Sequence, residues 1–276
     1  MRRGSGFRGV VGHGGRLGYN VRGGDMSNAT AWVIGGGSGI GLGIARALAD
    51  EGYEVFITGR RAEVLEQAAA AYEAERGAAG GATGRGALVP ASGDVTKEAD
   101  LEAVVSRIRE RDRPLGVVVI SSGTNIPHRM ISDTSPDEWR RLLDVNATGT
   151  FLVVKRVVPL LTEAGGGLIV NISSVSGIRS VPLGGVAYCA SKFASSSLGI
   201  FAGNELAGHG IRVTNIYPGE VSTPILDKRA VPPTAERRAQ MVQPRDIGAM
   251  VALIARLPAT THVSELVIKP LYQELV

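Results

Sequence analysis

Thr30-Ala31-Trp32-Val33-Ile34-Gly35-Gly36-Gly37-Ser38-Gly39-Ile40-Gly41 is the stretch on which the fold turns. An apolar, strand-forming run leads directly into a glycine cluster. Beyond it, Ile40, Ile44, Ala47 and Leu48 recur at helical spacing. The order is therefore strand, tight turn, helix. Glycines let a backbone approach a pyrophosphate closely, and the N-terminus of the helix behind them favours its negative charge. The spacing Gly35-x-x-x-Gly39-x-Gly41 differs from the G-x-G-x-x-G common in dinucleotide folds. A glycine turn alone is also a plain connection, and its place between strand and helix is what points to a nucleotide.

The alternation continues outward to the C-terminus. Strands are expected at 54–58, 87–91, 115–120, 167–172, 211–216 and 264–268, and helices at 40–51, 62–76, 97–111, 135–162, 187–208 and 246–256. Residues 115–120 are almost wholly apolar, as a strand buried on both faces should be. Residues 77–86 read as a glycine-rich loop and 222–243 as a polar, irregular segment. Six to seven strands alternating with helices predict an α/β fold. It is a doubly wound parallel sheet flanked by helices (a Rossmann fold), forming one domain over residues 29–276.

Residues 1–28 are expected to be a disordered, Gly/Arg-rich extension. Nine glycines and five arginines fall in the first 25 residues, without apolar periodicity. Met26, directly before the first strand, reads as the natural start. The formal charge of +4 resides there: residues 1–25 hold 5 of the 30 basic and 1 of the 26 acidic groups, leaving 25 of each in the remainder. The basic balance thus gives the folded part no nucleic-acid character. No apolar run approaches the roughly 20 residues of a membrane span, so no membrane partner is read. The single cysteine, Cys189, excludes an internal disulfide and suits a reducing, cytoplasmic setting; beside Tyr188 it reads as a small buried thiol. No metal site is read.

Two further places bear on a nucleotide. The second strand ends Thr58-Gly59-Arg60-Arg61, where an NAD-preferring fold usually carries an acid for the ribose 2′-hydroxyl. Arg60 and Arg61 offer guanidinium groups for a 2′-phosphate instead, so NADP(H) is favoured over NAD(H). Both arginines are also compatible with a solvated helix start. Asp94, after the third strand, reads either as an acceptor for an adenine amino group or as a turn carboxylate.

The chemistry is carried by Tyr188-Cys-Ala-Ser-Lys192. A tyrosine and a lysine four apart share one helix face. An ammonium beside a phenol lowers its pKa from about 10 toward a usable range. The pair alone is also an ordinary feature of an amphipathic helix.

The combination resembles the short-chain dehydrogenase/reductase family from about Thr30 to Pro270. The family's T-G-x-x-x-G-x-G turn corresponds to Ile34 through Gly41, with isoleucine in place of threonine. Its D-V is Asp94-Val95. Its N-N-A-G is Ile120-Ser121-Ser122-Gly123, lacking both asparagines, which removes the usual side-chain bonds within the central sheet. Its N-V-x-G-type element is Asn146-Ala147-Thr148-Gly149, its S-x-x-G serine is Ser174 before Gly177, and its P-G is Pro218-Gly219.

The resemblance implies an oxidoreductase acting on CH-OH groups with NAD(P), moving a hydride between nicotinamide and a carbonyl or secondary alcohol, with NADPH-dependent carbonyl reduction the expected reaction and a 3-hydroxy acid or 3-oxoacyl type the expected substrate class. Asn146, Ser174, Tyr188 and Lys192 would be its catalytic residues: Tyr188 the proton donor, Ser174 a donor to the carbonyl oxygen, Lys192 a tuner of Tyr188 and holder of ribose hydroxyls, Asn146 the holder of a water leading to solvent. Gly35, Gly37, Ser38, Gly39, Ile40, Gly41, Ser122, Gly123, Pro218, Gly219, Val221 and Thr223 would join Arg60, Arg61, Asp94 and Val95 around the cofactor. Substrate choice would fall to residues 125–131, 178–185 and 224–243. Arg179, Lys228, Arg229, Arg237 and Arg238 would select an anion or form a solvated face. The resemblance also implies a homodimer or homotetramer, with Ala194, Leu198 and Phe201 on the shared helix face. Rival readings are an idle dinucleotide-binding sensor or scaffold, and an epimerase or lyase on the same fold.

Overall fold

The computed structural model describes residues 29–78, 86–228 and 231–274. The expectations for residues 1–28, for most of the 77–86 loop and for Arg229 lie outside the described residues. Seven parallel strands form one sheet in the order β3-β2-β1-β4-β5-β6-β7. They are β1 (Thr30–Ile34), β2 (Glu54–Gly59), β3 (Ala87–Ser92), β4 (Leu115–Ile120), β5 (Gly167–Ile172), β6 (Ile211–Pro218) and β7 (Glu265–Ile268). Every expected strand is present, with ends moved by two residues at most.

Helices α1 (Gly39–Asp50), α2 (Ala62–Ala78), α3 (Glu98–Arg109), α4 (Pro136–Leu143), α5 (Gly149–Glu163), α6 (Val186–Leu206), α7 (Ala235–Ala239) and α8 (Pro244–Arg256) complete the fold. The inner strands bury both faces. β1 and β4 have no exposed residue, which is why their sequences run apolar without alternation. One core holds Ile44 and Leu48 of α1, Leu65 and Tyr72 of α2, and Ile247 and Val251 of α8. The opposite core holds Leu101 and Val104 of α3, Val153 and Val157 of α5, and Ala202 and Leu206 of α6.

Two expectations are corrected. The helix expected over 135–162 is interrupted. After α4, Asp144–Thr148 form a π-turn, in which the Gly149 N–H reaches back five residues to the Asp144 carbonyl, and α5 follows. A π-turn leaves no mark in apolar spacing that short. The irregular 222–243 segment contains a 3-10 turn, Pro224–Lys228, and the short helix α7, capped by the Thr234 hydroxyl.

The strand order reverses between β1 and β4. Chains leaving these strands turn to opposite faces, and a crevice opens at their C-terminal ends.

Candidate active site

That crevice is a cavity of about 340 Å³. Gly35, Ser38, Gly39 and Ile40 form one side, Ser122 and Gly123 the floor, Ser174, Tyr188 and Lys192 the opposite wall, and Pro218, Gly219, Val221 and Thr223 the rim. Residues from five separated segments thus converge at one site.

The glycine turn is shaped by close approach. Gly35 has φ +82°, and a Cβ on it would lie 2.7 Å from the Ser121 carbonyl carbon. Gly41 does not line the cavity: a Cβ there would stand 2.8 Å from the Gly35 carbonyl carbon, so its absence lets α1 begin directly under the turn. Gly37 also faces away, toward Leu65.

A dinucleotide carries a doubly charged pyrophosphate and several ribose hydroxyls, and the residues present fit such a group. Ser38 starts α1 in extended conformation without capping it through its side chain, and the first turn holds no acid, so N–H groups at the positive helix end are left for an anion. The Ser122 hydroxyl oxygen is buried without a hydrogen-bond partner in the same cavity. A Cβ on Gly123 would come to 3.6 Å from Lys192 Nζ, so the bare backbone keeps that ammonium accessible from the cavity.

Tyr188 and Lys192 lie one turn apart on α6. Lys192 is 5 % exposed, and its Nζ donates to the Ile172 carbonyl at 2.9 Å. Burial pulls its pKa down from 10.5 to about 8. Tyr188 packs on Ile126, Leu142 and Ala187. Burial pushes its phenol above the ordinary value, against a hydrogen bond from Ser174 and the charge of Arg129. The expectation that Lys192 depresses Tyr188 is therefore corrected. Desolvation governs the phenol, and the ammonium is turned to a backbone carbonyl.

Ser174 caps the short 3-10 turn Val175–Gly177, its hydroxyl accepting from the Ser176 N–H. Its rival Ser173 is 4 % exposed and bonds the Lys192 carbonyl and Ser196 hydroxyl, anchoring α6 instead. Asn146 is fully buried within the π-turn. Its Oδ1 accepts from the Thr124 N–H, and its Nδ2 donates to the Thr124 carbonyl and Ser191 hydroxyl. Both amide hydrogens are engaged, so the side chain ties the loop after β4 to α6.

The adenine-side residues stand apart from the cavity. Arg60 and Arg61 are exposed at the end of β2. Asp94 Oδ1 accepts from the N–H and hydroxyl of Thr96, which is the turn-carboxylate arrangement. Against partial burial, these bonds and the charges of Arg60 and Lys97 hold its pKa below the usual range. The Val95 side chain is 7 % exposed and packs in the core, 2.9 Å from where a Gly149 Cβ would be.

Sequence reasoning missed several residues and included Arg129 only within the 125–131 substrate segment. Arg129 lines the cavity and spans its outer loops, donating to the carbonyls of Ile126 and Leu183. Asn171 on β5 donates to Asn215 of β6 and to the Ser195 carbonyl of α6, and accepts from the Ser195 hydroxyl. This buried amide pair locks α6 to the sheet. Isolated asparagines inside strands were the signal. Glu220 and Gln273 also line the cavity. Arg237 and Arg238, read as selecting an anion or forming a solvated face, pair with Glu220 and Asp227. Arg179 faces solvent. Cys189 is buried, as expected. Among the described residues, no helix is long and apolar enough to cross a membrane, and no group of three metal ligands occurs.

Fold and crevice together define a doubly wound, nucleotide-type α/β protein with a Ser-Tyr-Lys wall. The chain belongs to the short chain dehydrogenase family, whose pattern matches residues 29–232. It is 33% identical over 252 residues to a glycine betaine reductase of Emericella nidulans, covering 90% of this chain but only 19% of that protein's length. An uncharacterized oxidoreductase of Staphylococcus aureus is 30% identical over 247 residues, covering 89% of this chain and 98% of its own. Among solved structures, an alcohol dehydrogenase of Thermococcus sibiricus complexed with 5-hydroxy-NADP superposes with a TM-score of 0.76 at 26% identity, covering 89% of this chain and 98% of its own. An actinorhodin polyketide ketoreductase with NADPH gives 0.75 at 29% identity, covering 88% and 96%.

Proposed function

We propose that the protein is an NADPH-dependent carbonyl reductase, interconverting a carbonyl compound and a secondary alcohol in the cytoplasm. The observation that carries this reading is the facing of two walls. The uncapped start of α1 and its glycine turn stand across one cavity from Ser174, Tyr188 and Lys192.

Bound between these walls, the nicotinamide supplies the hydride. The chain's part is charge and proton management. As negative charge grows on the carbonyl oxygen, Ser174 and Tyr188 donate hydrogen bonds to it. Tyr188 keeps its proton through neutral pH because burial raises its pKa, and it passes that proton to the oxygen as general acid. In the opposite direction it serves as base. Lys192 holds ribose hydroxyls through Nζ, which Gly123 leaves accessible from the cavity. Asn146 positions the Thr124 loop and α6 about the site. Arg60 and Arg61 receive the 2′-phosphate that distinguishes NADPH from NADH.

Substrates of 3-hydroxy acid or 3-oxoacyl type come first for testing, with Arg129 the guanidinium on the cavity wall. The exposed apolar face of α5 and α6, with Phe151 49 %, Ile200 46 % and Phe201 65 % exposed, supports a homodimer formed through these helices. NADPH oxidation is to be followed at 340 nm across a panel of carbonyls with the full chain, in parallel with NADH. Consumption with at least one carbonyl is expected, faster with NADPH. Tight NADPH binding without consumption would replace this reading by the idle sensor, or by an epimerase or lyase.

A further inference from the structure

The C-terminal segment after β7 folds back onto the cavity rim, beyond the 29–232 stretch that the family pattern covers. Gln273 lines the cavity, and its Oε1 accepts from the Glu220 N–H at 2.8 Å. A Cβ on Gly219 would collide with the same amide, 3.0 Å from its carbonyl carbon, so Gly219 and Gln273 are packed face to face. One residue earlier, the Tyr272 hydroxyl donates to Glu220 Oε2 at 2.9 Å. Arg237 of α7 pairs with that oxygen at 3.1 Å and stacks on the Tyr272 ring at 3.6 Å. Three chain segments thus meet at Glu220: the rim loop after β6, the short helix α7 and the C-terminal segment.

We propose that Gln273 and Tyr272 are positioning residues, forming a clasp that sets the Pro218–Thr223 rim and through it the affinity for the nicotinamide end of the cofactor. This rests on the dinucleotide reading given above. The rim loop lacks regular ladder bonds beyond Pro218. Among the described residues it is held by the Gly219 N–H on the Ile268 carbonyl, by Gln273 on Glu220, by the bridge between Val221 and Val242, and by Arg238 donating to the Thr223 carbonyl. Removing the Gln273 acceptor leaves one of these anchors gone and the Glu220 N–H open to solvent. Removing Tyr272 leaves Arg237 without its stacking partner and loosens α7 against the rim. Docking of the C-terminal segment and closure of the rim on a ligand are then one equilibrium, so ligand binding and segment docking strengthen each other.

The test compares the full chain with Gln273→Leu, Gln273→Glu and Tyr272→Ala, with Leu271→Ala as control because Leu271 is 100 % exposed. Hydrogen exchange at the Glu220 amide, Kd for NADPH, and KM for any carbonyl turned over are measured. In Gln273→Leu, exchange at Glu220 should rise about tenfold and NADPH binding weaken about tenfold, the loss of roughly one hydrogen bond. KM for the carbonyl should move much less. Gln273→Glu keeps an acceptor oxygen and should restore protection, and Tyr272→Ala should weaken NADPH binding in the same direction. Unchanged exchange in Gln273→Leu, or a Gln273→Glu variant as open as Gln273→Leu, overturns the clasp. If no carbonyl is consumed or NADPH fails to bind, the catalytic reading falls, while exchange at Glu220 still decides whether the clasp exists.

Discussion

Lys192 Nζ donates to the Ile172 carbonyl at 2.9 Å, while the Tyr188 ring centroid lies 5.9 Å from it. The ammonium is buried against backbone, and its pKa falls to about 8. Between pH 8 and the ordinary lysine value of about 10.4, the unfolded chain keeps a proton the folded chain has released. The unfolded state binds more protons there, so stability rises with pH across this window. Below pH 8 both states are protonated, and the fold carries the whole cost of the buried charge. The gain amounts to at most about 3 kcal/mol. Urea midpoints measured from pH 7 to 10.5 should climb, and Lys192→Met should flatten the climb.

Tyr188 titrates above its ordinary value, so the acid form dominates through neutral pH. Carbonyl reduction should therefore hold its rate from pH 6 toward 8, whereas alcohol oxidation, which needs the phenolate, should increase with pH. Tyr188→Phe removes the proton and should lower kcat by about 10²–10⁴-fold. Its NADPH affinity should stay within a few-fold of the parent. Near-parent turnover in that variant would reject the proton-donor role.

Arg60 and Arg61 stand exposed at the end of β2, next to an Asp94 already engaged by Thr96. If they receive a 2′-phosphate, replacing both with alanine should raise KM for NADPH by about tenfold or more, on the scale of a lost charge-assisted pair, and leave KM for NADH nearly unchanged. Parallel steady-state kinetics with the two cofactors decide it. An equal effect on both would mean the arginines serve the adenine or the fold.

Asn146 satisfies both the N–H and the carbonyl of Thr124 and reaches Ser191. Asn146→Ala leaves buried backbone groups without partners, at about 1–3 kcal/mol each. Thermal unfolding should show a drop of several degrees, with NADPH affinity reduced because Gly123 lies on the same loop. A variant as stable as the parent would show that water replaces the amide at no cost.

Much of this was readable from the residues alone. The strands announced themselves because a parallel sheet buried on both faces requires short apolar runs such as Leu115–Ile120, bounded by turn residues and rich in β-branched side chains. Gly35 and Gly39 were legible because their backbone conformation has few alternatives to glycine. What stayed hidden depends on contacts between distant segments. Nothing near Gln273 in sequence indicates that it ends beside Gly219. Asn171 and Asn215 are 44 residues apart, and their pairing follows from strand register. The spacing of Tyr188 and Lys192 was plain, but the electrostatics between them were not, since burial of the phenol and the Ile172 carbonyl outweigh proximity on the helix.

The π-turn at Asp144–Thr148 also bears on how the chain can vary in length. It inserts one residue's worth of backbone between α4 and α5. Deleting any residue from this turn would let the two helices fuse into one regular helix, which is locally the more favourable geometry. Each residue of an α-helix advances about 100° around the axis, and the wide turn absorbs the advance of its extra residue, so a deletion that restores regular geometry leaves Val153 and Val157 facing the sheet as before. A library of single-residue deletions should thus find this turn more tolerant than the helical positions on either side of it, except at Asn146, whose amide holds Thr124 and Ser191.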